Sequence, residues 1–179
     1  MTGKTELHAI EGAMKVKLLL LDVDGVLTDG RIIFSDGGLE TKCFDVKDGH
    51  AIKLSQRAGI QVGIITGRTS DVVARRAEEL GIELLYQGRF DKVSALDEIV
   101  ELTGIGNEGI AYVGDDIVDV PIMSRVGFSA AVGDAVPEAK ENALYVASRP
   151  GGRGAVREII EFILKNQGLW SDVTVKYRS

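Results

Sequence analysis

Asp22 and Asp24 stand one residue apart, separated by Val23 and followed by Gly25. Carboxylates crowded in this way repel each other, so the pair calls for a bound cation or a retained proton. A solvated Asp-Gly turn would read the same way in isolation, but three further groups fall in a consistent order behind it. Thr66-Gly67-Arg68 combines a hydroxyl, a glycine and a guanidinium just ahead of a helical stretch. Free backbone N–H groups at such a helix start make an oxyanion site, with a simple capping turn as the alternative. Lys92 opens another helical stretch, where the positive end of the helix dipole disfavours a cation, so something negative must lie close by. Gly114-Asp115-Asp116-Ile117-Val118-Asp119 then gathers three acids. At least one of them is expected to cap the next helix, and the cluster suggests a metal site. A carboxylate nucleophile needs a divalent cation and a cationic side chain to approach an anionic phosphate, and the chemistry this set supports is phosphoryl transfer through an aspartyl phosphate.

The segments that must position these groups read as strands alternating with helices. Leu18 to Leu21 is an uninterrupted apolar run, the mark of a strand buried on both faces. QVGIIT before Gly67, Glu83 to Tyr86 and Gly109 to Val113 come next as further strands, with short ones at Phe128 to Val132 and Leu144 to Val146. Helical spacing marks Asp48 to Ala58, a stretch from Ser70 with Val73, Ala77 and Leu80 on one face, the segment carrying Val93, Leu96, Ile99 and Val100, and the run with Val156, Ile159, Ile160, Ile163 and Leu164. This alternation predicts an α/β fold with a doubly wound parallel sheet, whose active groups sit at the carboxyl ends of the strands. Asp22, Thr66, Lys92 and Asp115 all fall at that edge. Between the first strand and the first helix, Arg31 to Phe34 and Leu39 to Phe44 flank Asp36-Gly37-Gly38, a β-hairpin signal. Such a hairpin can cover the site or pair with another subunit.

The chain has 179 residues, 27 acids against 21 basic residues, and a net charge of −6. That size suits a single domain over 1–179, and the charge argues against a general nucleic-acid binder. Cys43 is the sole cysteine, which excludes an intramolecular disulfide and fits a small buried hydrophobe in a reduced, cytoplasmic protein. No apolar run reaches membrane-spanning length, so no membrane partner is expected. Residues 1–14 read as a flexible leader, and 168–179 as a C-terminal tail carrying the only tryptophan, Trp170. That tail is a candidate lid for a neighbouring active site.

DVDGVLTDG, ITGR, Lys92 and GDDIVD, in this order and across nearly the whole chain, resemble the motifs of the haloacid dehalogenase superfamily of phosphatases. The resemblance implies Asp22 as nucleophile, Asp24 as acid/base, Thr66 as phosphate-binding hydroxyl and Lys92 as the balancing cation. It also implies Mg2+ held by the Asp22 side chain, the Asp24 backbone carbonyl and the Asp115 side chain, with Asp116 and Asp119 behind them. The spacings leave room for a small β-hairpin in place of a cap domain. FDVKDGHAIK, YQGRFDK and GGRGAVRE narrow the likeness to the capless 3-deoxy-D-manno-octulosonate 8-phosphate phosphatase family, with Lys47 where its members often carry arginine. The family implies a small-molecule sugar-acid phosphate as substrate, a homotetramer assembled through the hairpins, and lipopolysaccharide sugar biosynthesis. Its substrate-binding candidates here are Lys47, Asp48, Gly49, Gly67 and Arg68, with Arg153 weaker. Three other readings compete. A phosphatase for a related sugar acid, such as 2-keto-3-deoxynonulosonate 9-phosphate, would share every catalytic motif, since these read phosphate and metal rather than the sugar. A receiver-like signalling module would need an Asp after the third strand, where LLYQG has none; a silent oligomerising homologue would not need Asp22, Asp24, Lys92 and Asp115 together.

Overall fold

The computed structural model describes residues 3–177. Among them a six-stranded sheet runs in the order β5-β4-β1-β6-β7-β8, every neighbouring pair parallel. β1 (Leu18–Leu21) lies at its centre, in register with β4 (Gln61–Ile65) on one side and β6 (Ile110–Gly114) on the other. All four leucines are buried, as a strand covered by helices on both faces must be. β5 (Leu84–Tyr86) and β8 (Tyr145–Val146) are the edges, and their residues are only half-buried; β7 (Phe128–Ala131) lies beside β6. The chain winds one way from β1 through β4 to β5 and the other way from β6 through β7 to β8. Strand order therefore reverses between β1 and β6, and the carboxyl ends there diverge to leave a crevice.

The helices close the two faces. α2 (Val46–Arg57) starts where the Asp45 carboxylate accepts from the Lys47 N–H, and α3 (Asp71–Leu80) ends on Gly81, whose φ of 64° suits a left-handed cap. α4 (Lys92–Thr103) is capped by Asp91, which accepts from the Val93 and Ser94 N–H groups. Short α5 (Val120–Met123) and α6 (Pro137–Glu141) lead to α7 (Ala155–Asn166), which buries Val156, Ile159, Ile160, Ile163 and Leu164 as its periodicity predicts. Each of these large aliphatic side chains contributes roughly 1.5–3 kcal/mol when removed from water.

One expectation, a buried Cys43, is corrected, and both terminal segments take defined structure within the protomer. Over the described part of the 1–14 leader, Gly3–Ala13 forms helix α1, with Ala9 and Ala13 buried. Small residues allow a close approach, and a Cβ on Gly12 would come within 2.6 Å of the Gly127 carbonyl oxygen. Cys43 is exposed rather than buried. Over its described part, the 168–179 tail folds back on its own protomer as α8 (Trp170–Thr174) and a 3-10 turn, Val175–Tyr177. Arg157 and Lys165 of α7 cover the Trp170 ring at 5.2 and 5.5 Å, and the Tyr177 hydroxyl meets His50 Nε2 and Arg57 Nη1, each at 3.1 Å. Met1, Thr2, Arg178 and Ser179 lie outside the described residues.

The hairpin is present as β2 (Ile33–Phe34) and β3 (Glu40–Thr41), an antiparallel pair separate from the main sheet. It exposes Ile32, Ile33, Phe34 and Leu39.

Candidate active site

Asp22 is the first residue beyond β1, tied by its N–H to the Val113 carbonyl of β6 at 3.1 Å. The chain then turns tightly, with the N–H groups of Val26, Leu27 and Thr28 all reaching the Val23 carbonyl. Gly25 is required there, because it has φ of 92° and a Cβ would fall 2.0 Å from Asp115 Oδ2. The GGRG segment packs beneath this turn: the Gly152 N–H donates to the Val26 carbonyl at 2.9 Å, and a Cβ on Gly151 would collide with the Gly25 carbonyl oxygen.

Lys92 meets the requirement set by its place at a helix start. Its ammonium lies 2.6 Å from Asp119 Oδ1 and 3.1 Å from Asp22 Oδ2, and donates to the Tyr112 hydroxyl at 3.0 Å. Three acceptors thus serve three ammonium protons. Asp119 is wholly buried and saturated: Oδ1 also accepts from the Tyr112 hydroxyl at 2.7 Å, and Oδ2 accepts from the N–H groups of Asp115 and Asp116 at 2.9 and 3.2 Å. Asp116 is the capping acid, accepting from the Ile117 N–H at 2.6 Å.

Electrostatics single out Asp22 and Asp115. Burial pushes the Asp22 carboxyl above its ordinary value against the pull of Lys92, and Asp119 adds to the upward push. Asp115 is driven up to about 7, first by burial and then by the carboxylates of Asp22, Asp119 and Asp116. Burial works against the Lys92 cation, but Asp22 and Asp119 outweigh it and hold its proton more tightly than in an ordinary lysine. One oxygen from each of Asp22, Asp115 and Asp119 lies within 4.8 Å of the others. Since Asp119 already serves four donors, the unsatisfied charge belongs to Asp22 and Asp115. A small, hard divalent cation fits that need and that donor set.

Asp22, Lys92 and Asp115 share a pocket of about 250 Å³ with Asp24, Thr66, Gly67, Arg68 and Phe90. Thr66 is buried and fixed by its N–H to the Tyr86 carbonyl at 2.9 Å. A larger depression, about 740 Å³, opens at the other end of the sheet where β4 begins, but Glu83 is its only acidic or basic lining residue.

Three of the predicted substrate contacts are not brought to this pocket within the protomer. Lys47 pairs with Asp45 at 3.6 Å and lines a separate depression with Ser148, Arg149 and Arg157. Asp48 is buried and accepts from the N–H groups of Gly154 and Arg157 at 3.1 and 2.7 Å, so it fastens α2 to the start of α7. Gly49 lies against Arg76 of α3. Arg153 is exposed.

Sequence reasoning missed Tyr112, Glu40 and Lys42. Tyr112 looked like one more apolar strand residue, and only its buried hydroxyl shows otherwise. Glu40 and Lys42 were legible in principle, since residues two apart on a strand share a face. Lys42 pairs with Asp24, and Glu40 accepts from Arg68 and Ser70.

A family model described as haloacid dehalogenase-like hydrolase matches residues 82–160. The chain is 45% identical over 166 residues to the 3-deoxy-D-manno-octulosonate 8-phosphate phosphatase KdsC of Salmonella typhi, covering 93% of this chain and 88% of that protein. It superposes on the corresponding Yersinia pestis phosphatase with a TM-score of 0.89 at 44% identity, over 90% of this chain and 88% of the other. On the Moraxella catarrhalis phosphatase, solved with magnesium, phosphate and KDO, the TM-score is 0.93 at 37% identity, over 99% of both chains.

Proposed function

Because the chain belongs to the 3-deoxy-D-manno-octulosonate 8-phosphate phosphatase family of haloacid dehalogenase-like hydrolases, we propose that it is a magnesium-dependent phosphoric monoester hydrolase acting on 3-deoxy-D-manno-octulosonate 8-phosphate, in the lipopolysaccharide sugar pathway. The observation that carries this reading is the meeting of Asp22, Lys92 and Asp115 in the crevice between β1 and β6. An Asp22 oxygen attacks phosphorus, the bond to the sugar oxygen breaks, and Asp24 gives that oxygen its proton. Asp24 then takes a proton from water as the water oxygen attacks the aspartyl phosphate, which frees inorganic phosphate and restores Asp22. Lys92 offsets the charge of nucleophile and phosphate, and the Thr66 hydroxyl and Gly67 hold a phosphate oxygen. The Asp22 and Asp115 side chains and the Asp24 carbonyl would hold Mg2+, which supplies positive charge for the phosphate to approach.

Arg68, at the pocket mouth, meets the sugar acid's carboxylate. Lys47 faces a different depression and serves a neighbouring protomer's pocket in the assembled enzyme. The reading places the enzyme in the cytoplasm, where the exposed Cys43 thiol stays reduced. Incubation with a panel of sugar-acid phosphates tests the substrate: phosphate release is expected to be fastest from the eight-carbon 8-phosphate. Preference for the nine-carbon 2-keto-3-deoxynonulosonate 9-phosphate would reassign it.

The assembly is a homotetramer joined through the hairpins. Ile32, Ile33, Phe34 and Leu39 are all exposed on a two-stranded ribbon, an element only marginally stable unless it packs on something. Light scattering is expected to show a tetramer that Phe34→Glu with Leu39→Glu breaks. A wild-type monomer at micromolar concentration would rule the assembly out.

A further inference from the structure

Four charged side chains form a closed ring at the pocket wall: Asp24 pairs with Lys42, Lys42 with Glu40 at 3.5 Å, Glu40 with Arg68 at 3.3 Å, and Arg68 with Asp24 at 3.7 Å. Signs alternate around it, so no member faces an uncompensated like charge. Two members come from the nucleophile turn and the β4 loop, and two from the hairpin, where Glu40 lies in β3 and Lys42 comes directly after it. The Lys42 side chain is 1% exposed, which leaves its ammonium almost no freedom to swing into water. Ser70 at the start of α3 donates to the outer side of Glu40 and fixes the ring to the body of the domain.

Resting on the phosphatase reading, we propose that Lys42 is a positioning residue for Asp24, and that Glu40 holds Lys42 in place for it. Lys42 donates to Asp24 Oδ1, and it can do so whether Asp24 is ionised or protonated. Oδ1 is thereby occupied, so the proton bound for the leaving oxygen is carried on Oδ2, the oxygen that Arg68 flanks. The hairpin, read from sequence as a cover or an oligomer contact, thus also sets the aim of the acid.

Aryl phosphates of similar size but different leaving groups test this. Expulsion of phenolate needs the acid's proton, whereas 2,4-dinitrophenolate leaves without it. For Lys42→Met, kcat/KM on phenyl phosphate is expected to fall about 30-fold, part of the full worth of a general acid, and on 2,4-dinitrophenyl phosphate less than about 3-fold. Retained activity on the dinitrophenyl ester also shows that the variant is folded and Asp22 intact. Glu40→Gln, which opens the ring one step further out, is expected to give a smaller skew in the same direction. Equal losses on both esters in both variants, or no loss in either, would overturn the role of Lys42 while leaving the phosphatase reading standing. A wild-type protein that releases phosphate neither from these esters nor from any sugar-acid phosphate would instead overturn that reading, and this inference with it.

Discussion

Asp22→Asn is expected to lower turnover by about 10⁴-fold or more, the scale seen when a covalent nucleophile is removed, without loss of the fold. The amide keeps the shape of the carboxylate but cannot attack phosphorus. Its effect on stability should run the opposite way. Asp22 is a buried carboxylate whose charged form is disfavoured by burial and by Asp119, and its charge in turn pushes up Asp115. A neutral side chain relieves both, and Lys92 keeps Asp119 as its partner at 2.6 Å. Metal-free Asp22→Asn is therefore expected to melt no lower than metal-free wild type at pH 7.5, as for sites that hold strain for function. Near wild-type phosphatase activity in the folded variant would end the case for Asp22 as nucleophile.

Magnesium should be essential for activity, and its effect on stability should depend on pH. Asp115 has its folded-state value raised from 3.8 to about 7. A raised carboxyl value means that the folded protein binds the proton more tightly than the unfolded chain does. The stability this contributes is complete below about pH 4 and is lost as pH rises toward 7. A cation between Asp22 and Asp115 replaces the missing protons above that window and competes with them inside it. At a magnesium concentration about 100-fold above Kd, binding adds about 2.7 kcal/mol, which for a domain of this size raises Tm by roughly 5–11 °C. That increment is expected at pH 8 and should shrink toward zero near pH 5. Chelation should abolish phosphatase activity, and calcium should inhibit it, because its longer and looser coordination misplaces nucleophile and phosphate. Full activity in excess chelator, or a magnesium increment that does not change between pH 5 and pH 8, would contradict the metal site.

Much of the site could be read directly because it is built at strand ends. A short apolar run such as Leu18 to Leu21, closed by Asp and Gly, reads as a strand buried on both faces, and the residues just after its last leucine then emerge at one edge of the sheet. The same reasoning places Thr66 and Asp115, and the helix dipole at Lys92 demands an anion that proves to be Asp22 and Asp119. Local chemistry was enough for these positions because each is within a residue or two of the element that fixes it.

Other assignments needed contacts between distant parts of the chain. Asp48 sits in a motif that suggested ligand binding, but its partners are N–H groups of Gly154 and Arg157, more than one hundred residues away. α1 has too weak an apolar pattern to announce itself, and it is placed by its packing on α7 and β7, where Gly12 comes close to Gly127 and Phe128. Tyr112 is polar in function only because Lys92 and Asp119 meet its hydroxyl inside the sheet. Spacing along the chain determined the order of the strands' reactive ends and the chemistry they support. Only the tertiary structure decided which charges are saturated, which are left for a cation, and that the hairpin brings Lys42 to Asp24, since these depend on burial and on pairings between segments that no local pattern encodes.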